Sequence, residues 1–429
     1  MKKTGRIFFR VIIMMIIQFL AVEFILKKIF GRGKKNKIGL LNIEFYHKEV
    51  SGFGGYGKTA KNITDHFNSN GNSMHAEIIL TRHFKKPEIR QLHNTNVIIA
   101  PDAESSNIIN AVKYTRMLNS RDFKILLTIE YCTDYQYSIF FLPKTPLVIW
   151  IHDPRPLQCL EKIATVDLEV LTYKKNKPDE LKIFDQYIKD SIRKVLQISK
   201  LFNRKVIFAT TAYFSVTLAK ELYGLPDINP VLLPIPVEIP ELERPTFSPK
   251  PSVCFLARLD PQKRPWIFFE LAKRFKHIDF YVAGITHFPK LIDPIIKNYA
   301  SVPNLKFLGM VGGKEKDELL RNTWALINTS IHECLPVSFL ESFAYGKPII
   351  SCQNPDNLVE RFGIYTGEVL GNGYDKHTVD IFEEALDRFL SKDAERIETG
   401  MAARNFVKEN YSFHKFEEVM QKIIKEAEA

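Results

Sequence analysis

Short apolar runs alternate with longer amphipathic stretches along most of this chain, and that alternation restricts the possible folds more than any other feature. A first series comprises Ile38 to Phe45, Ala76 to Leu80, Val97 to Ala100, Ile125 to Glu130, Leu147 to Ile151, Val206 to Thr210 and Val231 to Pro234. A second comprises Ser252 to Ala257, Phe280 to Ala283, Leu305 to Leu308, Ala325 to Thr329 and Pro348 to Ser351. Runs this short and this continuously apolar suit strands buried on both faces, and the segments between them are long enough for helices. The pattern predicts parallel sheets flanked by helices, an α/β architecture. Pro234, Pro236, Pro240 and Pro245 lie between the two series, with Pro249 and Pro251 just beyond. Proline at that density continues neither a helix nor a central strand. A chain of 429 residues is also too long for one core. We therefore expect an N-terminal segment over 1–37, a first domain over 38–237, a linker over 238–251, a second domain over 252–408 and a terminal helix over 409–429. In that last segment Phe416, Val419, Met420 and Ile423 fall on one helical face.

Hydrophobic residues at 45% and charged residues at 25% are globular proportions, so little of the chain should be disordered. The net charge of +11 asks for an anionic neighbour, which nucleic acid, anionic lipid or a sugar nucleotide could supply. Basic residues are not interleaved with aromatic ones as in single-strand binders, and no nucleic-acid partner is expected. The N-terminus favours lipid: Lys2, Lys3, Arg6 and Arg10 precede or enter the run Ile7 to Leu26, and Lys27, Lys28, Arg32, Lys34, Lys35 and Lys37 follow it.

Between Val11 and Val22 that run is interrupted only by Gln18, although Arg10 and Glu23 shorten it against the ~20 apolar residues of a full span. It reads as a signal anchor, an interfacial helix or a cleaved signal peptide. No small-residue cleavage site follows, so the anchor is preferred, with the basic stretch on anionic headgroups. Positive charge on both flanks gives the positive-inside rule little to choose by. The expectation is a membrane-associated protein whose catalytic domains are cytoplasmic. The five cysteines are scattered without a C-x-x-C spacing, as expected for reduced thiols without structural zinc. Sequons at Asn62, Asn328 and Asn410 are short enough to arise by chance.

Two carboxylates, Glu333 and Glu341, are separated by seven residues, after the apolar run Ala325 to Thr329 and at the mouth of a helix predicted to begin near Pro336. That helix should stop at Gly346, before the next strand. Glu341 is placed about two turns into the helix, so both carboxylates can face one cleft at different depths. An unpaired buried carboxylate is expensive, which implies a ligand with hydroxyls to bind there. The alternative is an ordinary β-α unit with solvated acids.

Earlier in the same half, Arg258 and Lys263 lie five residues apart, past the end of a strand and beside a helix start. Cations and a helix dipole there reinforce each other toward a diphosphate, although a solvated charge cluster is the plainer reading. In the first half the apolar run ends Trp150-Ile151-His152-Asp153, which puts His152 where open α/β sheets bind ligands; a lone histidine is more often a structural hydrogen-bonder.

The glycine loop Gly52-Phe53-Gly54-Gly55-Tyr56-Gly57-Lys58-Thr59 matches both G-x-x-x-x-G-K-T and G-x-G-x-x-G. A phosphate-loop reading would borrow Asp102 or Asp153 for magnesium, and a dinucleotide reading would borrow Glu77 for a ribose. Both patterns want the strand to run straight into the first glycine, yet His47 to Ser51 intervenes.

Taken with its flank Ser342-Phe343-Ala344-Tyr345-Gly346-Lys347-Pro348-Ile349-Ile350, the Glu333-x7-Glu341 segment resembles the hallmark of the retaining nucleotide-sugar glycosyltransferases of family 4, which have the GT-B fold. The Arg258 to Lys263 segment is similar to that family's Gly-Arg-Leu-x-x-x-Lys-Gly element, with Ala257 and Arg264 where glycine is common. Gly54-Gly55-Tyr56-Gly57-Lys58-Thr59 resembles its first-domain Gly-Gly-x-Gly-Arg-Tyr loop. Thr210 to Ser215 and Gly309-Met310-Val311 also look like family segments. Cys334 departs from the usual glycine after the first Glu, and Pro234-Ile235-Pro236-Val237 replaces the usual Asn-Gly-Val-Asp.

The resemblance implies two Rossmann-like domains facing across a cleft, preceded here by a hydrophobic helix. It implies a sugar moved with retention from a nucleotide-diphospho-sugar to a glycan or lipid-linked acceptor, in envelope or surface polysaccharide or glycolipid synthesis. By resemblance Arg258 and Lys263 hold the diphosphate, Glu341 the ribose and Glu333 the sugar hydroxyls. His152 lies at the reaction centre, backbone at Cys334, Leu335 and Val337 completes the donor contacts, and amides of Gly54, Gly55, Gly57 and Lys58 face donor phosphates or acceptor. No metal or other cofactor is expected, since fixed cations take its electrostatic role and the chain has no D-x-D triplet. Two rival expectations are a phosphate-loop NTPase or kinase centred on Lys58 and a membrane-tethered, non-catalytic binder of acidic polymer.

Overall fold

The computed structural model describes residues 36–47, 54–69, 72–84, 86–101, 108–166 and 178–429. The anchor expected at residues 7–26, the loop residues Gly52 and Phe53, and Asp102 lie outside the described residues. Among the described residues no helix is long and apolar enough to cross a membrane.

Among the described residues fourteen strands form two sheets. The first contains β1 (Lys37–Asn42), β2 (His75–Phe84), β3 (Glu88–Leu92), β4 (Thr95–Pro101), β5 (Phe123–Ile129), β6 (Leu147–Ile151), β7 (Val206–Thr210) and β8 (Val231–Leu232). Its order is β3-β4-β2-β1-β5-β6-β7-β8. The second contains β9 (Ser252–Leu256), β10 (Asp279–Ala283), β11 (Leu305–Gly309), β12 (Ala325–Asn328), β13 (Ile349–Ser351) and β14 (Gly363–Tyr365), in the order β11-β10-β9-β12-β13-β14. Every pairing in the second sheet is parallel. The first departs from the all-parallel expectation at its edge, where β3 runs antiparallel to β4.

The second sheet has the strand order 3-2-1-4-5-6 of a doubly wound Rossmann fold, and such sheets bind ligands beyond the carboxyl ends of the two strands where the winding reverses. Here those strands are β9 and β12, paired through Ala325 with Val253 and Leu326 with Cys254. The core beneath them is apolar and aromatic. Trp266, Phe268, Phe280, Val253 and Ile327 are buried, and Phe268 meets Phe280 edge-on with ring centroids 5.0 Å apart.

The chain divides into two compact units, one of residues 1–150, 190–208 and 423–429, the other of residues 151–189 and 209–422. In the first, Arg204 is anchored on the carbonyls of Ile139 (2.8 Å) and Leu142 (3.3 Å). In the second, the proline-rich segment is tied down: Val237 N–H donates to Tyr411 O at 2.9 Å, and Arg404 donates to the carbonyls of Pro240 and Leu242 at 2.6 and 3.2 Å. The terminal helix spans Phe413–Glu428, and its Phe416, Val419, Met420 and Ile423 are buried as the periodicity predicts. Asn62 and Asn328 are buried as well, which closes two of the three sequons to a glycan.

Candidate active site

The site is built on two loops that leave β9 and β12. After β9 the chain passes through Arg258 and a tight turn, Pro261–Lys263, into the helix Pro265–Arg274. After β12 it passes through Glu333 into the helix Val337–Ala344. That helix closes as expected. Gly346 adopts φ 68°, its N–H donates to Phe343 O at 2.8 Å, and Lys347 N–H donates to Ser342 O at 3.0 Å. This is the paired bond pattern of a glycine-terminated helix. Because the helix starts at Val337, Glu341 lies a little over one turn in, not two.

Four hydrogen bonds stitch the two loops together. Thr329 Oγ1 donates to the carbonyls of Lys263 (2.7 Å) and Arg264 (3.0 Å), Ile331 N–H to Gln262 O (3.0 Å), and Gln262 Nε2 to His332 O (3.0 Å). Arg264, fully buried, adds a clamp. Its guanidinium donates to Thr329 O at 2.8 Å, Val369 O at 2.9 Å and Gly371 O at 3.0 Å. Its backbone sits at φ 45°, ψ 53°. That left-handed conformation is one glycine adopts freely, and here arginine adopts it so that its side chain can form the clamp.

Lys263 and Glu333, predicted on separate motifs, meet. Lys263 Nζ lies 2.5 Å from Glu333 Oε1, with side chains 14% and 10% exposed. Ser330 Oγ at 2.7 Å and Asn328 Nδ2 at 3.3 Å also donate to that carboxylate. Burial pushes the Glu333 carboxyl up, but the Lys263 ammonium and the Ser330 hydroxyl outweigh it and hold it below the usual range, against opposition from Asp153. Glu341 is paired at 2.5 Å with Lys316, from the helix Gly313–Asn322. Arg258 is tied instead to Asp260 at 3.0 Å and His287 at 3.1 Å, with its side chain 41% exposed.

His152 and Asp153 belong to this same unit. His152 is buried, and burial drives its imidazole down to about 3 against the pull of Asp153, so the ring is neutral at physiological pH. Asp153 accepts from Arg155 Nε at 2.9 Å and stands 3.0 Å from His332 Nε2. Burial pushes its carboxyl up, yet Arg155 and His332 hold it well below the usual range. Cys334 and Leu335 are buried beside Glu333, and Val337 opens the helix. Sequence reasoning missed Lys316, His332 and Arg155 as members of the site. His332 stands directly before Glu333, but only the fold brings Asp153 to it.

The glycine loop belongs to the other unit and is explained by its own surroundings. Gly54 precedes the helix Gly55–Phe67, and the Glu44 carboxylate accepts the Gly57 N–H at 3.1 Å. A Cβ at Gly54 would lie 2.1 Å from that carboxylate, and one at Gly57 would lie 3.0 Å from Tyr46 N. Gly55 has open space beside it, and Lys58 Nζ lies 5.6 Å from the Tyr46 ring centroid. Close approach of the chain's own β1 exit backbone thus favours glycine at 57, whereas at 54 the flexible Glu44 side chain is what a Cβ would meet. A phosphate arriving at the helix start would have to displace Glu44. Glu77, the ribose acid of the dinucleotide reading, is committed to Arg121 Nε at 2.7 Å and Lys37 at 3.1 Å.

Residues 241–406 match the family model described as glycosyl transferases group 1. No curated protein matches the chain. Among solved structures, sucrose-phosphate synthase from Thermosynechococcus elongatus is similar over 91% of this chain and 99% of its own, at 12% identity and a TM-score of 0.65. HepE from Anabaena, in complex with UDP, is similar over 90% and 99% at 12% identity and a TM-score of 0.59. The lipopolysaccharide outer core galactosyltransferase WaaB is similar over 91% and 99% at 16% identity and a TM-score of 0.56. The sheets and the matched segment agree as far as they reach: residues 241–406 match the group 1 glycosyl transferase model, and the chain as a whole shares the two-sheet GT-B fold of these structures.

Proposed function

We propose that this enzyme moves a sugar, of the hexosyl type, from a nucleotide-diphospho-sugar to a glycan or lipid-linked acceptor. Transfer retains anomeric configuration and needs no metal. The observation that carries the reading is the ion pair of Lys263 with Glu333 at the strand reversal, with Glu341 and Lys316 paired in the same unit. Two partly buried carboxylates, each balanced by one ammonium, form a site that can exchange partners. A donor diphosphate takes the Lys263 ammonium, and sugar hydroxyls donate to the freed Glu333 carboxylate. A ribose hydroxyl likewise donates to Glu341, and Arg258 lends a second cation to the diphosphate.

Charge that develops on the departing diphosphate is met by Lys263 and Arg258 and by the positive end of the helix Val337–Ala344. Amides at Cys334, Leu335 and Val337 can add donors, whereas Pro336 has none. His152 is neutral, so it serves the sugar as a hydrogen-bonding ring and not as a proton source. The incoming hydroxyl then attacks from the face the leaving group departs, which gives retention.

The basic N-terminal stretch supports attachment to an anionic membrane with the catalytic units on the cytoplasmic side, and hence work on envelope or surface polysaccharide or glycolipid. Thermal unfolding of the full chain with UDP-, GDP- and ADP-sugars tests the donor reading, because a specific ligand raises apparent stability by mass action. One nucleotide class should raise the midpoint in the wild type and not in Glu341→Ala. No shift with any nucleotide sugar would overturn the proposal.

A further inference from the structure

Cys334, which lies between Glu333 and the helix Val337–Ala344, has chemical company. One ligand atom each from Asp153, His332 and Cys334 lie within 4.8 Å of one another. His332 and Cys334 are buried, and the Asp153 side chain is 19% exposed, which leaves a way in. We propose that Asp153, His332 and Cys334 form a binding site for a single thiophilic divalent cation of the zinc type.

Three observations carry this. The donor set is one carboxylate oxygen, one imidazole nitrogen and one thiolate sulfur, a combination that suits zinc or cobalt and not magnesium or calcium. The spacing is close to what coordination needs. Bonds of about 2.0–2.3 Å around a tetrahedral ion put neighbouring ligand atoms roughly 3.3–3.7 Å apart. Asp153 Oδ1 and His332 Nε2 stand 3.0 Å apart in a hydrogen bond that the cation replaces. Finally, the ligands have outer support of the kind metal sites use. Arg155 holds the other oxygen of Asp153, and the same guanidinium donates to Gln262 Oε1 at 3.2 Å. Gln262 Nε2 in turn donates to His332 O at 3.0 Å, which fixes the backbone that carries the imidazole.

Binding is written without redox change. As the metal bonds form, the Cys334 thiol releases its proton to solvent, the proton on the His332 nitrogen that faces Asp153 passes to the other ring nitrogen or to solvent so that the freed nitrogen coordinates, and Asp153 coordinates as carboxylate. Carboxylate and thiolate together offset the double positive charge, and three protein ligands leave a fourth position open. His332 and Cys334 flank Glu333, so a cation held by them locks the loop that the proposed function assigns to the donor sugar. Resting on that reading, the cation acts as an inhibitor that competes with donor.

The test begins without donor. Full-length, metal-stripped chain is titrated with Co²⁺. One equivalent should produce a thiolate-to-cobalt charge-transfer band and intense tetrahedral ligand-field bands, which one equivalent of Zn²⁺ abolishes. Cys334→Ser should remove the charge-transfer band, and His332→Asn should weaken binding 10-fold or more. Cys159→Ser and Cys254→Ser should leave the spectrum unchanged, and denaturation midpoints check that each variant is folded. Absence of the band, or its survival in Cys334→Ser, overturns the site. A second titration adds Zn²⁺ to the nucleotide-sugar assay. Cobalt binding with no effect of zinc on donor leaves the metal site standing and refutes its link to the donor loop. Failure of the cobalt titration leaves the donor reading untouched.

Discussion

Replacing Lys263 by methionine isolates what the Lys263–Glu333 pair does for the protein. The two side chains are 14% and 10% exposed and 2.5 Å apart, so the pair is shielded from most solvent screening. Removing one partner of a buried pair leaves the other charge uncompensated, at about 3–5 kcal/mol. Glu333 would keep the Ser330 hydroxyl and the Asn328 amide, neutral donors worth about 1 kcal/mol each, which sets the expectation near the lower end, about 3 kcal/mol.

The pH dependence has a definite sign. In the wild type the Glu333 carboxyl is held below its ordinary value, so its stabilisation is present above the unfolded pKa and is lost as pH falls through the folded one. Without Lys263, burial and Asp153 both push that carboxyl up, and the penalty of the charged form is relieved as pH falls. Urea denaturation should therefore find Lys263→Met less stable than wild type by more at pH 8 than at pH 5. Lys263→Met/Glu333→Gln should recover part of the loss, since removing both partners leaves no buried charge alone. A deficit under about 1 kcal/mol that does not vary with pH would refute the pairing.

Arg264→Ala removes donors to three buried carbonyls and leaves a void, and should cost about 3 kcal/mol or more by denaturant unfolding. Arg264→Gly loses the same bonds but accepts the left-handed backbone, and should be less damaging than alanine by about 1 kcal/mol. His152, held down to about 3 by burial, should make the wild type lose stability as pH falls from the unfolded histidine value of 6.5 toward 3. In that window the unfolded chain binds the proton first; His152→Gln should flatten this part of the stability–pH curve by up to about 5 kcal/mol. By equilibrium binding, Glu341→Ala should weaken nucleoside diphosphate affinity about 10-fold, as expected for losing a charged hydrogen-bond acceptor, whereas Glu333→Ala should lose the preference for nucleotide sugar over free nucleotide.

The reading of the fold was best where a fully apolar run met polar or glycine boundaries on both sides. Leu147–Ile151 and Val206–Thr210 are strands at the residues the sequence predicts. Glu88–Leu92 was missed because an edge strand exposed on alternate residues reads as a polar loop, and Gly363–Tyr365 because three residues carry too little pattern. The same logic divides the site. Lys263 and Glu333 were legible because each follows a strand at the reversal point, and strand ends can be read from hydropathy.

Lys316, His332 and Glu44 were not legible, because their roles come from partners on other elements and no sequence spacing encodes those contacts. Arg264 looked like a departure from glycine and proved to be a buried clamp whose backbone keeps the glycine conformation. The glycine loop carried the opposite lesson. Gly57 meets the backbone of Tyr46 at close range, a local packing demand that a match to two nucleotide patterns conceals.

Consumption of a nucleotide sugar by the full chain in excess chelator, with and without Glu333→Ala, is the most direct test of the proposed reaction. The account predicts steady donor consumption by the wild type without added metal and its loss in Glu333→Ala. A requirement for manganese, or full activity in the variant, would contradict it.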